Sequence, residues 1–464
     1  MTTLVWLRDD LRLEDHPALA AAAEDPDGAV VVFLLDEDSP GIRPLGGAAR
    51  WWLHGSLRSL GEELAALGIP LVLRRGAAAE RIPELAAESG ADRVVWNRRF
   101  GAGRALDAAV ADRLREAGRR VSSFRGSLLF EPGSIVTGQG TPYRVYSAFW
   151  RACLSAPAPP VPLPRPAGLR AATRQPASDA LDEWRLLPQR PDWAGGLAER
   201  WSPGEPAAAL RLDRFLRERA DRYAADRDRP DADAGSELSP ALRWGELSPR
   251  TVWHRAIAAG VDAGMFLSEL GWREFAWHTA AHEPGLHERG LNPQFDAFPW
   301  RTDPGPELAA WQRGETGFPF VDAGMRELWR TGFMHNRARM VTASFLTKNL
   351  LVDWRIGEAW FWDTLVDADA ASNPFNWQWV AGCGADAAPY FRIFNPSAQA
   401  QRFDPEGEYA GRWAPESLLI PEIVDLRASR IRALAAYDAM RAGAQPDASP
   451  AASSGAEPGA KPSD

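Results

Sequence analysis

The chain has 464 residues, with 53 Lys and Arg against 62 Asp and Glu, a formal net charge of -9, and 45% apolar and 25% charged residues. That balance accommodates two or three domains at roughly 150 residues each and excludes wholesale disorder and a membrane-embedded chain, since no stretch approaches ~18 uninterrupted apolar residues. The opening MTTLVWLRDDLRLEDHPAL places charges where an export signal needs an apolar run, so a cytoplasmic protein with no membrane association is expected. Cys153 and Cys383 are the only cysteines, which excludes a disulfide framework and a four-Cys zinc site and leaves room for at most one bridge; both are read as reduced thiols. Trp (21) outnumbers Tyr (6), a skew that asks for more than space filling. Lys348 and Lys461 are the only lysines, so nearly every basic residue is arginine; in a net acidic chain, any nucleic-acid site must be a local patch.

In chain order, residues 1–130 alternate short apolar runs, Leu4 to Leu7, Val30 to Leu35, Leu71 to Arg74, Val94 to Trp96 and Val121 to Phe124, with helical patterns at Ala48 to Leu67 and Gly103 to Ala117. This order predicts a mostly parallel, doubly wound α/β sheet. No G-x-G-x-x-G follows the first strand, so this layer need not hold the main cofactor. Residues 131–206 become Pro-rich (APAPPVPLPRP, LLPQRPDW, WSPGEP) and read as a long connector. Residues 207–440 are amphipathic, Trp-rich and poor in β-branched runs, which predicts a helical domain. Residues 441–464 have little to bury and read as a disordered tail. The predicted fold class is therefore α/β plus all-α.

Several motifs in the helical half could carry chemistry. His278 and His282 in HTAAHE are spaced i, i+4, a spacing that suits zinc, but the Glu of H-E-x-x-H and a third ligand are missing, so histidines on a helix surface are expected. In GSELSPALRWGELSPR, Ser236 and Ser239 could cap a helix start or contribute to an anion site. Glu269, Trp272 and Arg273 in ELGWREF share one helical face, where an acid, a flat apolar surface and a cation suit a planar ligand near a phosphate; a rim salt bridge beside a core Trp is the plainer reading. Asn336 and Arg339 in MHNRARM place polar groups at the mouth of a buried helix. In DADAASNPFNWQW, Asp367 and Asp369 precede Asn373, and Trp377 and Trp379, two apart on a helix, should face nearly opposite sides.

Together, WLRDDLR, GSELSPALRWGELSPR, ELGWREF, MHNRARM and DADAASNPFNWQWVAGCGADAAPYFRIFNP resemble the DNA photolyase and cryptochrome family, over nearly the whole chain up to about Leu426. The resemblance implies an N-terminal α/β domain, a helical domain holding bent FAD, and a cavity above the flavin for a flipped pyrimidine dimer in UV-damaged DNA. It also implies blue-light-driven electron transfer from reduced flavin to a cyclobutane dimer, which then splits and returns the electron; the cofactor supplies the redox chemistry and the protein position and electrostatics. Tyr223, Gly235, Ser236, Glu237, Leu238 and Ser239 match the segment at the FAD diphosphate. Asp367, Ala368 and Asp369 match the acidic segment near the isoalloxazine and adenosine ends, Arg339 the partner of Asp367, and Asn373 the amide beside flavin N5, where plant cryptochromes carry an acid. Glu269 matches the acid that hydrogen-bonds the dimer, Trp272 and Trp379 the aromatic pair that packs on it, and Asn336 and Met340 the cavity wall. Arg227, Arg273, Arg337, Arg392 and Gln399 match positions near the DNA backbone. Trp377, Trp354 and Trp300 match the chain that carries an electron from the surface to oxidised flavin.

Two departures stand out. Where the family commonly has Gly-Thr-Ser-Arg before Leu-Ser-Pro, this chain has Ala234, Gly235, Ser236 and Glu237, losing a hydroxyl and replacing a cation with an acid; weaker flavin binding is expected. WNRRFGAGR, residues 96–104, resembles a folate-binding stretch but carries Phe100-Gly101 where Tyr-Glu is often found, which leaves a folate, a deazaflavin or no antenna open. The sequence reading is a monomeric, FAD-dependent cyclobutane pyrimidine dimer photolyase. The alternatives are a cryptochrome-like blue-light photoreceptor and repair of the (6-4) photoproduct; the latter uses a His pair in relatives, and only His335 lies in these motifs.

Overall fold

In the computed structural model, residues 1–260, 264–387 and 391–443 are described. Five strands, β1 Thr3–Leu7, β2 Ala29–Leu35, β3 Leu71–Arg75, β4 Arg93–Asn97 and β5 Arg120–Phe124, form one parallel sheet in the order β3-β2-β1-β4-β5. Every residue of β1 and β2 is buried, as expected of central parallel strands covered on both faces. Alternation then divides their side chains: Val5, Leu7, Val31 and Phe33 join one core with the helix α2, Gly47–Ala66. Leu4, Trp6, Val30 and Val32 join a second core with α3, Ala78–Ser89, and α4, Gly103–Glu116.

The predicted strands fall within a residue of the observed ones, and both predicted helices are present. Within residues 1–130 two further helices, α1 (Pro17–Ala23) and α3, escaped the sequence reading because both are Ala-rich and α3 carries Pro83 inside it, and the stretch read as a connector also holds helices at Tyr146–Ser155 and Gly195–Arg200. The Pro-rich segment packs as it passes: Asp179 N–H donates to Leu73 O, and Leu169, Trp184, Leu186, Leu197 and Trp201 complete the first core.

Among the described residues from Glu205 to Gly443 the regular elements are helical, with one isolated bridge between Arg301 and Val352. The last helix, Leu426–Gly443, runs through the start assigned to the tail, and the rest of that expectation lies outside the described residues. A large aromatic core, including Trp311, Phe318, Trp354, Phe361 and Trp377, fills this half. Buried polar groups join it to the α/β layer. Glu246 accepts from Trp52 Nε1 at 2.9 Å and Gly204 N–H at 2.7 Å, Glu205 from the N–H groups of Leu13 and Glu14, and Asp15 pairs with Arg250 at 2.7 Å.

No described helix is long and apolar enough to cross a membrane. His278, expected on a helix surface, is buried, and burial followed by the neighbouring His282 lowers its pKa to about 4. Among the described residues no group of three metal-ligating side chains occurs.

Candidate active site

A cavity of about 520 Å³ opens in the helical half, a size suited to a cofactor or drug-sized ligand. Its inner end is built on the turn 367–372, which leads into the helix Ser372–Ala381. Asp369 Oδ1 accepts from Ala371 N–H at 2.8 Å and Ser372 N–H at 2.5 Å, which fixes that turn. Asp367 is consequently aimed at the helix Asn336–Ser344, where Arg339 grips it with both Nη atoms at 3.1 and 2.8 Å. Arg339 Nε donates to Met334 O at 2.7 Å, so the guanidinium is held along two edges.

Ser239 Oγ donates to Asp367 Oδ2 at 2.6 Å. This corrects the capping expectation: the short helix Ser239–Trp244 has Leu238 at its N-cap, and neither Ser236 nor Ser239 caps it, because the carboxylate takes the hydroxyl. Glu237, with φ of 53°, is held by Arg200 at 2.7 Å and Arg211 at 3.0 Å. The acid that replaces the family's cation therefore brings two cations with it. Gly235, Ser236, Glu237, Leu238 and Tyr223 line the same cavity, as do Ala368 and Asp369. The set fits FAD: a paired carboxylate and guanidinium, hydroxyl and backbone groups for phosphates, and aromatic walls from Phe333, Phe361 and Trp377.

The helix Ser372–Ala381 separates its tryptophans as the spacing predicts. Trp377 is buried against Phe361 (4.9 Å between ring centroids) and Trp311 (6.3 Å), whereas Trp379 is partly exposed, with Arg392 5.1 Å over its ring. Asn373 is buried, and its Nδ2 donates to Glu358 Oε1 at 2.7 Å and to Glu358 O at 3.1 Å. Trp354 is buried in the same core as Trp377, and the partly exposed Trp300 packs against that core, its following residue bridged to Val352.

At the mouth, the helix Gly264–His282 presents Glu269 and Trp272 on the cavity-facing side. Trp272 stacks on Tyr146 at 3.7 Å and 11°, and Tyr146 is anchored by its hydroxyl donating to Ser268 O at 2.6 Å. Glu269 is ion-paired with Arg227, and Arg337 with Asp228. Asn336, Met340 and Trp379 complete this wall. His335 lines it too; burial lowers its pKa to about 4, and its Nε2 lies 3.1 Å from Arg227 O.

The backbone-contact set is only partly gathered here. Arg273 shares the helix of Glu269 and lines both this cavity and the one beside the sheet, while its guanidinium donates to Ser127 O at 3.2 Å and lies 3.4 Å from Glu274, which also ties it to the junction with the α/β layer. Gln399, on the helix Pro396–Phe403, and Arg392 lie outside the cavity lining. Tyr146, Glu358, Arg200 and Arg211 were missed by sequence reasoning, since each acts through a partner distant in the chain.

A second cavity of about 200 Å³ lies beyond the C-terminal ends of β1 and β2, the position where open parallel sheets take ligands. Arg8, Arg43, Trp277 and Trp362 line it, together with Phe100 and Gly101 of the stretch singled out as an antenna segment.

Residues 3–167 match the family model for DNA photolyase, and residues 266–439 match that for the FAD binding domain of DNA photolyase. A deoxyribodipyrimidine photo-lyase of Agrobacterium fabrum is 50% identical over 420 residues, covering 89% of this chain and 87% of that protein. Cryptochrome-2 of Arabidopsis thaliana is 36% identical over 440 residues, covering 90% of this chain and 71% of that protein. The crystal structure of a bacterial class III photolyase from Agrobacterium tumefaciens superposes with a TM-score of 0.90 at 45% identity, covering 95% of this chain and 98% of that one. With two family models spanning most of its length and a relative at half identity, this chain belongs to the DNA photolyase family.

Proposed function

We propose that the chain is a light-dependent deoxyribodipyrimidine photo-lyase that binds FAD in the large cavity and splits cyclobutane pyrimidine dimers in UV-damaged DNA. The observation that carries the reading is that one cavity joins the buried Asp367 carboxylate, paired with Arg339, and Asn373 at its inner end to Glu269, Trp272 and Trp379 at its mouth. FAD, when bound in reduced form, supplies the electron that light drives into the dimer.

The residues do the rest. Arg339 and Asp367 offer a charge pair at the inner end, and Ser236 to Ser239 would hold the diphosphate; Arg200 and Arg211 offset the negative charge of Glu237 there. Trp272, braced by Tyr146, and Trp379 form flat walls for an extruded dimer, and base–aromatic stacking contributes about 1–3 kcal/mol per base. Glu269 accepts a hydrogen bond from the dimer once Arg227 turns to a DNA phosphate, so one event frees the acid and recruits the cation. Arg337, with Asn336 and Met340 beside it, follows the same logic. Trp377, Trp354 and Trp300 form the relay from surface to flavin. Residues 1–130, 131–206, 207–440 and 441–464 serve as α/β layer, connector, catalytic domain and tail of a monomeric cytoplasmic enzyme. The second cavity is the place for an antenna, folate or deazaflavin.

The test is blue-light irradiation of reduced, FAD-containing protein with a thymine-dimer oligonucleotide, following base absorbance against a dark control. Light-dependent recovery is expected. No recovery would transfer the reading to a photoreceptor or to (6-4) repair.

A further inference from the structure

The amide of Asn373, in the lining of the large cavity, is held from outside the helical half. Arg43 lies between β2 and α2, and its Nη1 reaches 315 positions along the chain to Glu358 Oε1 at 2.7 Å. The same oxygen accepts from Asn373 Nδ2 at 2.7 Å, and Glu358 O takes that nitrogen at 3.1 Å. Glu358 is buried, with a side chain 2% exposed, and among the described residues Arg43 is its ion-pair partner.

The segment bearing Arg43 is fastened to the helix Trp354–Thr364. The guanidinium lies 4.3 Å over the Trp362 ring, Trp362 Nε1 donates to Pro44 O at 2.8 Å, and Gly47 N–H donates to Asp363 Oδ1 at 2.8 Å. These contacts place a cation of the second cavity's wall behind a residue of the first.

We propose that Arg43 is a positioning residue for the flavin site, acting through Glu358 to hold Asn373 with its amide oxygen turned to the cavity. The chemistry of the donors decides the orientation. Both groups of Glu358 that meet Asn373 are acceptors, so the amide must give them its nitrogen, and Oδ1 is what it offers the cavity. An oxygen at that place would accept a hydrogen bond from a protonated flavin N5 brought to it and would disfavour the unprotonated form. Without Arg43, the buried carboxylate loses its counter-charge and is drawn toward water, and the amide loses the acceptor that fixes its orientation. The proposal rests on the reading of the large cavity as the FAD site.

The experiment measures the one-electron midpoint potential of bound FAD in the full chain, comparing the parent with Arg43→Met, Arg43→Lys, Glu358→Leu, which removes the shared acceptor oxygen, Asn373→Ala and the Arg43→Met/Asn373→Ala pair. Methionine keeps contact with Trp362 while removing the charge. Arg43→Met and Glu358→Leu are expected to lower the potential in the same direction, by about tenfold in the underlying equilibrium, which is 59 mV for one electron. Arg43→Lys is expected to restore part of the shift. Arg43→Met is expected to add nothing once Asn373 is alanine, because the effect passes through that amide.

A parental potential in Arg43→Met, or an equal shift in the Asn373→Ala background, would overturn the proposal while leaving the FAD site intact. Failure of the parent to retain FAD would overturn both. If Arg43→Met does not fold, Arg43→Gln with and without Asn373→Ala decides the question: an additive shift overturns the relay, and a non-additive one supports it.

Discussion

Glu269 carries the sharpest consequence of a single side chain. Its carboxylate pairs with Arg227 at the mouth, on the same helical face as Trp272, so it stands ready for a base but takes no part in holding the inner end of the cavity. Glu269→Gln should therefore retain FAD at parental stoichiometry and bind a dimer-containing oligonucleotide roughly tenfold more weakly, in line with the loss of a charged hydrogen bond worth about 1.5–3 kcal/mol. Equal affinity in a fluorescence titration would remove its role. Trp377→Phe separates a different function. The indole is buried between Phe361 and Trp311, away from the mouth, so photoreduction of oxidised flavin should be lost while repair by chemically reduced enzyme persists. Parental photoreduction under steady illumination would exclude Trp377 from the relay. These residues were legible because short ordered motifs carry them. Arg43 and Glu358 were not: a lone Arg in GIRPLGG and a lone Glu in RIGEAW acquire meaning only when the fold closes a gap of 315 positions.

Elements were legible where one physical signal dominated. The run AVVVFLL is apolar throughout and β-branched at three positions, and only a strand buried on both faces fits so short a stretch. In PALAAAA the signal is too flat to set a helical face, and the capping His16, which accepts from Leu19 N–H at 3.1 Å, is an unusual cap. The aromatic relay depends on a packing detail that sequence conceals. Gly357, in the helix Trp354–Thr364, is where the ring of Trp377 presses against backbone, and a methyl there would overlap that ring and the Leu346 side chain. Glycine inside a helix costs about 1 kcal/mol relative to alanine, so propensity favours Gly357→Ala. Overpacking of a dense core costs about 1–3 kcal/mol, and the clash is with a buried ring that has Phe361 and Trp311 around it. The clash should win: Gly357→Ala is expected to lower the thermal midpoint and to slow flavin photoreduction as Trp377 is displaced. A raised midpoint would mean that the ring has room to move.

Across the whole molecule, the two halves are joined by carboxylates that burial makes sensitive to pH. Glu274, on the helix that carries Glu269, accepts from Leu129 N–H at 2.9 Å and Phe130 N–H at 3.1 Å, two donors from the segment that leaves the sheet. Burial pushes its carboxyl from 4.5 to about 7, against the opposing pull of Arg273 and the two N–H groups. Glu246, which ties Trp52 and Gly204 together, is pushed to about 7 for the same reason. For an acid whose pKa is raised by folding, the folded chain holds a proton that the unfolded chain has released, over the window from about 4.5 to about 7. Stability therefore declines as pH rises through that window and levels off above it. The difference corresponds to on the order of 3 kcal/mol for a fully buried group at 1.36 kcal/mol per pKa unit. Glu274→Gln keeps an oxygen for the two N–H donors and removes the ionisation. Its thermal midpoint should match the parent near pH 4.5 and exceed it by several degrees at pH 8. A constant offset between the two proteins across that range would show that Glu274 does not carry the dependence. Because the same helix turns Glu269 and Trp272 to the cavity mouth, the variant also reports whether the junction governs the site: parental dimer affinity at pH 8 is expected if the helix is seated in both charge states, and a gain in affinity if ionised Glu274 loosens it.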